Sequence, residues 1–244
     1  MSLRVGCDLD GTVADMNAAL QRAAEGLFGP NVDLRAGTGT PAEPPTDEEI
    51  AGSGDVAGEN ASKPVQEEKA ARRGLTSREY RYLWRHCQGL DNFWCSLKEL
   101  EPGLVARFCV AARSHGWEVI FLTQRPASAG ELAQLQSQRW LEAHGFDLPS
   151  VYVVNGSRGK IAAALHLDAV IDDRPENCLD VATESEAKAF LVWRDGPKSA
   201  PPGATRMGIE TVYSFADALD RLEAMSIKPA KAGFLGKVRQ SLGL

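Results

Sequence analysis

Two pairs of carboxylates are the chemistry-bearing residues of this sequence. Asp8 and Asp10 stand two residues apart at the end of the apolar stretch 3–9, and Asp172 and Asp173 are neighbours at the end of Ala169-Val170-Ile171. In an extended chain, residues at i and i+2 point to one side, so Asp8 and Asp10 present their carboxylates together. Gly11 lets the chain turn sharply just after them. Carboxylates held side by side disfavour one another's ionisation. A hard divalent cation relieves that repulsion, and Mg2+ suits a site made of a few carboxylates, water and a substrate phosphate. Asp8, Asp10, Asp172 and Asp173 are therefore the candidate metal residues. Lys160 is the candidate fixed positive charge. Thr123 offers a hydroxyl to a phosphate oxygen, and Gln124 follows it as a second candidate phosphate contact. An Asp at the end of one strand is, taken singly, more often a turn or cap residue than a ligand. Four apolar runs finished by polar or charged groups in this order, at Asp8, Thr123, Asn155 and Asp172-Asp173, are not accounted for by caps.

Those ends belong to a regular alternation of elements. The apolar runs at 3–9, 117–123, 151–154, 169–172 and 189–193 read as strands, the second nearly continuous, as in a strand buried on both faces. Thr211-Val212-Tyr213 is a short sixth. Helices are expected over 15–28 with Asp15 as N-cap, from Pro102 to Gly116, over 128–144, 160–166 and 175–185, and after Ser214. The pattern predicts an α/β fold, a Rossmann-like, mostly parallel sheet with helices on both faces. In such sheets ligands bind beyond the carboxyl ends of the strands, where the candidate residues stand.

The stretch between the first two strands has a different character. Residues 35–72 are rich in Gly and Pro, with few large aliphatics, and predict a mobile segment. Ordered signal returns at Thr76-Ser77-Arg78-Glu79, a capping-box pattern, followed by Tyr80, Leu83, Trp84 and Cys87 at helical spacing. The expected organisation is a core of 1–30 and 100–225, a small helical insertion over 31–99, and a basic tail over 226–244. Phe93 and Trp94 fall in an expected loop at the end of the insertion, as candidates for stacking on a flat substrate group.

Composition narrows the class of partner. The 244 residues carry a net charge of −6, which argues against binding a nucleic-acid polymer. Five cysteines without a CxxC pair support neither a disulfide framework nor a zinc knuckle, so reduced thiols and a cytoplasmic setting are expected. No run is long and apolar enough to span a membrane. Oligomeric state is not legible.

Asp8-Leu9-Asp10-Gly11-Thr12-Val13, Phe121-Leu122-Thr123, Lys160 and Val170-Ile171-Asp172-Asp173 resemble, in order and strand context, the four motifs of the haloacid-dehalogenase-like (HAD) superfamily. The resemblance covers 3–30 and about 100–195. It implies Mg2+-dependent phosphoryl transfer through an aspartyl-phosphate, with Asp8 as nucleophile, Asp10 as general acid/base and Lys160 neutralising charge. The carboxylate at position 10 is similar to that of the phosphatase members. In this superfamily an insertion between the first two motifs forms a cap. The run from Asn92 to Gly103, with Ile171 to Pro175, is further similar to the 5'(3')-deoxyribonucleotidase branch, which implies a nucleoside monophosphate as substrate. The Gly/Pro-rich 35–72 stretch and Gln124-Arg125-Pro126 depart from that branch. Another small phosphomonoester, such as a sugar phosphate, and a catalytically silent scaffold are the alternatives.

Overall fold

The structure is a computed structural model that describes residues 2–36 and 72–227. Most of the 35–72 stretch and the tail beyond 227 lie outside the described residues. The chain divides into two compact units: Met1–Ala14, Glu99–Gln124 and Leu141–Leu244 form the first, and Asp15–Lys98 with Arg125–Trp140 the second. The first unit thus keeps less of the chain than the expected 1–30 and 100–225, because 15–30 and 125–140 group with the second.

The first unit is built on six parallel strands, β1 (Arg4–Asp8), β2 (Glu118–Thr123), β3 (Ser150–Val153), β4 (Ala169–Asp172), β5 (Lys188–Val192) and β6 (Glu210–Val212), in the order β3-β2-β1-β4-β5-β6. Register pairs Cys7 with both Phe121 and Ile171, and Ile171 with Phe190. Successive side chains alternate between faces. Phe121 therefore faces the aromatic cluster of Phe108, Phe146 and Phe215, with ring centroids 4.9–6.0 Å apart. Its neighbour Leu122 faces the opposite way, into an aliphatic cluster with Val170, Leu191, Ala162, Cys178 and Val181. Helices α3 (Leu104–His115) and α7 (Phe215–Ile227) supply Phe108 and Phe215. Helices α5 (Arg158–Ala164) and α6 (Pro175–Glu184) supply the aliphatic side. Both faces are covered, which is why these strands read as continuous apolar runs.

Three helix starts differ from the expectation, and the helix expected from 128 begins at Ala133. Pro102 stands in a turn and α3 begins at Leu104, where Glu99 takes over the cap by accepting hydrogen bonds from the Gly103 and Val105 N–H groups at 2.6 and 3.1 Å. Helix α5 begins at Arg158 rather than Lys160, because the Ser157 hydroxyl accepts from the N–H groups of Gly159 and Lys160 at 3.1 and 3.3 Å.

The second unit holds α1 (Met16–Phe28), α2 (Ser77–Gly89), the short 3-10 turn Phe93–Ser96 and most of α4 (Ala133–Ala143). Asp15 caps α1 by accepting from the Ala18 N–H at 3.0 Å, and Thr76 and Glu79 form the expected capping box on α2. Its core is aromatic: Trp84, Trp94 and Trp140 are each no more than 1% exposed. Trp94 Nε1 donates to the Pro126 carbonyl at 3.1 Å and Trp140 Nε1 to the Leu97 carbonyl at 2.8 Å. All five cysteines are free thiols. Among the described residues no helix is long and apolar enough to cross a membrane.

Candidate active site

Parallel strands bring all their carboxyl ends to one edge, and that edge of the first unit collects the acidic residues. Asp8 ends β1 and Asp172 ends β4, on adjacent strands and one step beyond the Cys7–Ile171 pair. Both are buried, and Asp173 follows half-buried. One carboxylate oxygen from each of the three lies within 4.8 Å of the others.

Such a group is electrostatically costly. Burial, and then the charge of Asp172, pushes the Asp8 carboxyl well above the usual carboxylate range, against the opposing pull of Arg158. Burial also raises Asp172, which Arg158 and hydrogen bonds from the Arg174 N–H at 2.9 Å and the Asn177 amide at 3.0–3.1 Å partly offset. Burial and the neighbouring Asp172 raise Asp173 to about 7.

The buried cation is Arg158. Its Nη2 donates to Asp8 Oδ1 at 3.1 Å, and its Nε stands 3.7 Å from Asp172 Oδ2. The side chain is 3% exposed, yet Nε and Nη1 have no hydrogen-bond partner among the described residues. Gly159 explains how it gets there. A Cβ at Gly159 would sit 2.1 Å from the Asp180 carbonyl oxygen, so only glycine lets the start of α5 press onto α6. Lys160, the expected cation, is exposed on α5 instead. The two-residue shift in the helix start places Arg158, not Lys160, beside the carboxylates, and Ser157 was the available signal.

The remaining expected residues are distributed as follows. Asp10 is half-buried and not part of the three-carboxylate group; its Oδ2 accepts from the Thr123 hydroxyl at 3.2 Å. Thr123 is fully buried at the end of β2, and Gln124 follows it, half-buried. Gly11 adopts φ +87°, and a Cβ there would fall 2.1 Å from Asp173 Oδ2, so the turn must be glycine. Thr12 Oγ1 reaches Asp173 Oδ1 at 3.4 Å. Phe93 and Trp94 belong to the second unit and are 4% and 1% exposed. Trp94 is flanked by Phe93 and Trp84, with the Arg125 guanidinium 5.0 Å above its ring. Their rings are core, not a loop surface free for stacking, because Arg125, Pro126 and Gln136 close on them from some 30 to 40 residues along the chain. Arg158 and Asn177 are the residues bonded to these carboxylates that sequence reading missed.

The donor set fits a hard cation: of three carboxylates with raised proton affinity, Asp8 and Asp172 meet one buried guanidinium, and all available ligand atoms are oxygens. Asp8, Asp172 and Asp173 are the residues that would hold such a cation.

No protein-family model matches the sequence, and no curated protein matches it. Among solved structures, a HAD family hydrolase from Deinococcus radiodurans R1, crystallised with bound phosphate and sodium, superposes with a TM-score of 0.53 at 15% identity, over 94% of this chain and 99% of that one. A candidate beta-phosphoglucomutase from Thermotoga maritima reaches 0.48 at 17% identity, over 92% and 99%, a score too low to carry an argument. At these identities the likeness establishes the fold, an α/β Rossmann-like parallel sheet shared with the HAD family hydrolase.

Proposed function

We propose that the protein is a Mg2+-dependent phosphomonoester hydrolase that works through Asp8. The observation that carries this reading is Arg158, a buried guanidinium whose Nε and Nη1 have no hydrogen-bond partner among the described residues, set against three mutually repelling carboxylates. A buried donor left without a partner is costly, and an anion with several oxygens satisfies it. The carboxylates in turn fit a cation. A site that accepts an anion and a cation side by side suits a phosphate ester with a divalent metal.

The chain's own groups then divide the chemistry. Asp8 must be ionised to attack, and Arg158 favours that form through its 3.1 Å hydrogen bond. An Asp8 carboxylate oxygen attacks phosphorus in line, the ester P–O bond breaks, and Asp10 gives its proton to the departing oxygen. Water then attacks the aspartyl-phosphate, Asp10 takes its proton, inorganic phosphate leaves and Asp8 is regenerated. The Thr123 hydroxyl orients Asp10 throughout. Mg2+ at this site would neutralise phosphate charge and hold Asp8 ionised. The HAD-fold neighbour with bound phosphate supports the same reading by analogy of fold.

The substrate is a small phosphomonoester. A nucleoside monophosphate remains the reading that the 92–103 run favours, without the support of Phe93 and Trp94, whose rings are packed inside the second unit. Phosphate release with Mg2+ across nucleoside monophosphates, sugar phosphates and p-nitrophenyl phosphate tests both levels. Turnover of any of them supports the hydrolase, and a nucleotide preference of tenfold or more supports the finer reading. Equal rates would leave a general phosphatase, and no turnover would overturn both.

A further inference from the structure

Beyond the strand ends, one side chain ties the loop that carries Asp10 to two distant elements. Arg194 lies two residues past the end of β5, with its side chain 28% exposed. Its Nη1 donates to the Gly11 carbonyl at 2.6 Å, and its Nη2 to the Thr12 carbonyl and to Glu101 Oε1, both at 2.9 Å. Glu101 is itself anchored: its carboxylate accepts from the Phe215 N–H at 2.8 Å and the Ala216 N–H at 3.4 Å, at the start of α7. The carbonyls held are those of the two residues directly after Asp10. The same two residues meet Asp173, Gly11 by close approach and Thr12 by its hydroxyl.

We infer that Arg194, held by Glu101, is a positioning residue that clamps the Gly11-Thr12 turn and so fixes Asp10 relative to Asp173. The inference rests on the hydrolase reading of this site for its effect on rate. The clamp depends on a planar fork that reaches three acceptors at once, which a lysine ammonium on a flexible stem does not reproduce. A loosened turn leaves the charge in place and misplaces the proton donor, and misplacement of that kind costs rate more than binding.

Arg194→Lys separates fork from charge. Relative to wild type, we expect kcat of the variant for p-nitrophenyl phosphate to fall roughly tenfold to a hundredfold with KM changed less than threefold, and its melting temperature to stay within about 3 °C. In the metal-free protein, amide exchange at Gly11, Val13 and Ala14, whose N–H groups bond inside this turn, should speed at least tenfold while β4 and β5 stay protected. Glu101→Gln should show the same pattern, smaller. Unchanged exchange in the turn, or a full kcat in Arg194→Lys, would overturn the clamp. A wild type that hydrolyses nothing would overturn the hydrolase reading instead, and the exchange measurement would still decide the clamp.

Discussion

Arg158 and Arg125 are both 3% exposed, one in each unit, and their surroundings differ in kind. Arg125 lies over the Trp94 ring and donates to Ser137 Oγ at 3.0 Å, and Ser137 passes the bond on to the Ala133 carbonyl at 2.7 Å. Beside it, Gln136 is matched on both ends: its Oε1 accepts from the Trp94 N–H, and its Nε2 donates to Ser128 Oγ and the Glu131 carbonyl. Arg158 instead leaves Nε and Nη1 without a hydrogen-bond partner among the described residues and gives its one good bond to a carboxylate group that repels itself. Burial of a charge therefore does not mark a site. A buried polar network that closes on itself organises a core, and one left open toward a ligand marks where chemistry is done.

Exchanging the two arginines for glutamine is the strongest way to break this comparison. Arg158→Gln should cut kcat by about 10²–10³-fold, the range for loss of one charge-stabilising donor. Arg125→Gln should leave kcat per folded molecule within about threefold and lower stability by roughly 2–4 kcal/mol, as expected when a buried hydrogen-bonded cation is removed. Activity assays beside thermal melts check both. The reverse pattern would mean that the open network is structural and the closed one functional.

The units should also respond to pH with opposite sign. Asp173 holds its proton up to about pH 7 in the folded protein, whereas an ordinary carboxyl loses it near 3.8. Between those values the folded state binds more protons than the unfolded chain, so stability is greatest at the acid end and falls as pH rises toward 7. Metal-free protein should therefore melt roughly 5 °C lower at pH 7.5 than at pH 5, and Mg2+ should close the gap by binding the ionised site. A metal-free melting temperature that rises over this interval would contradict the carboxylate geometry.

Glu79 in the second unit is the opposite case and the smallest effect. Its hydrogen bonds from Arg73 hold it down at about 2, with the Thr76 cap assisting, so its contribution is present above the ordinary range near 4.5 and lost as pH falls toward 2. Glu79→Gln should lower the melting temperature by about 1–3 °C at pH 7 and leave the slope between pH 5 and 7.5 unchanged. A change in that slope would place its cause in the second unit.

What was legible from sequence follows the reach of the interactions. Asp8, Thr123 and Asp172 could be read because each ends an apolar run, and parallel pairing sends such ends to one edge. Arg158 was missed for Lys160 because the choice depends on where a seven-residue helix starts, a local matter that Ser157 decides. Phe93 and Trp94 looked like loop aromatics because their partners, Arg125, Pro126 and Gln136, come from a distant segment. The same distant pairing draws 125–140 into the second unit, and 15–30 joins it because α1 packs on α2, where the Phe28 and Tyr82 rings meet. Arg194 gave no local signal at all, since its acceptors lie 183 and 182 residues away.

Phosphate release from one good phosphomonoester, followed side by side in wild type with Mg2+, wild type with excess EDTA, and Asp8→Asn with Mg2+, tests the open network of Asp8, Asp172, Asp173 and Arg158 most directly. The account predicts turnover in the first alone, with loss of about 10³-fold or more in the other two, since one lacks the cation that the carboxylates fit and the other the nucleophile at nearly constant volume. Turnover that survives EDTA, or an Asp8→Asn protein as active as wild type, would contradict it.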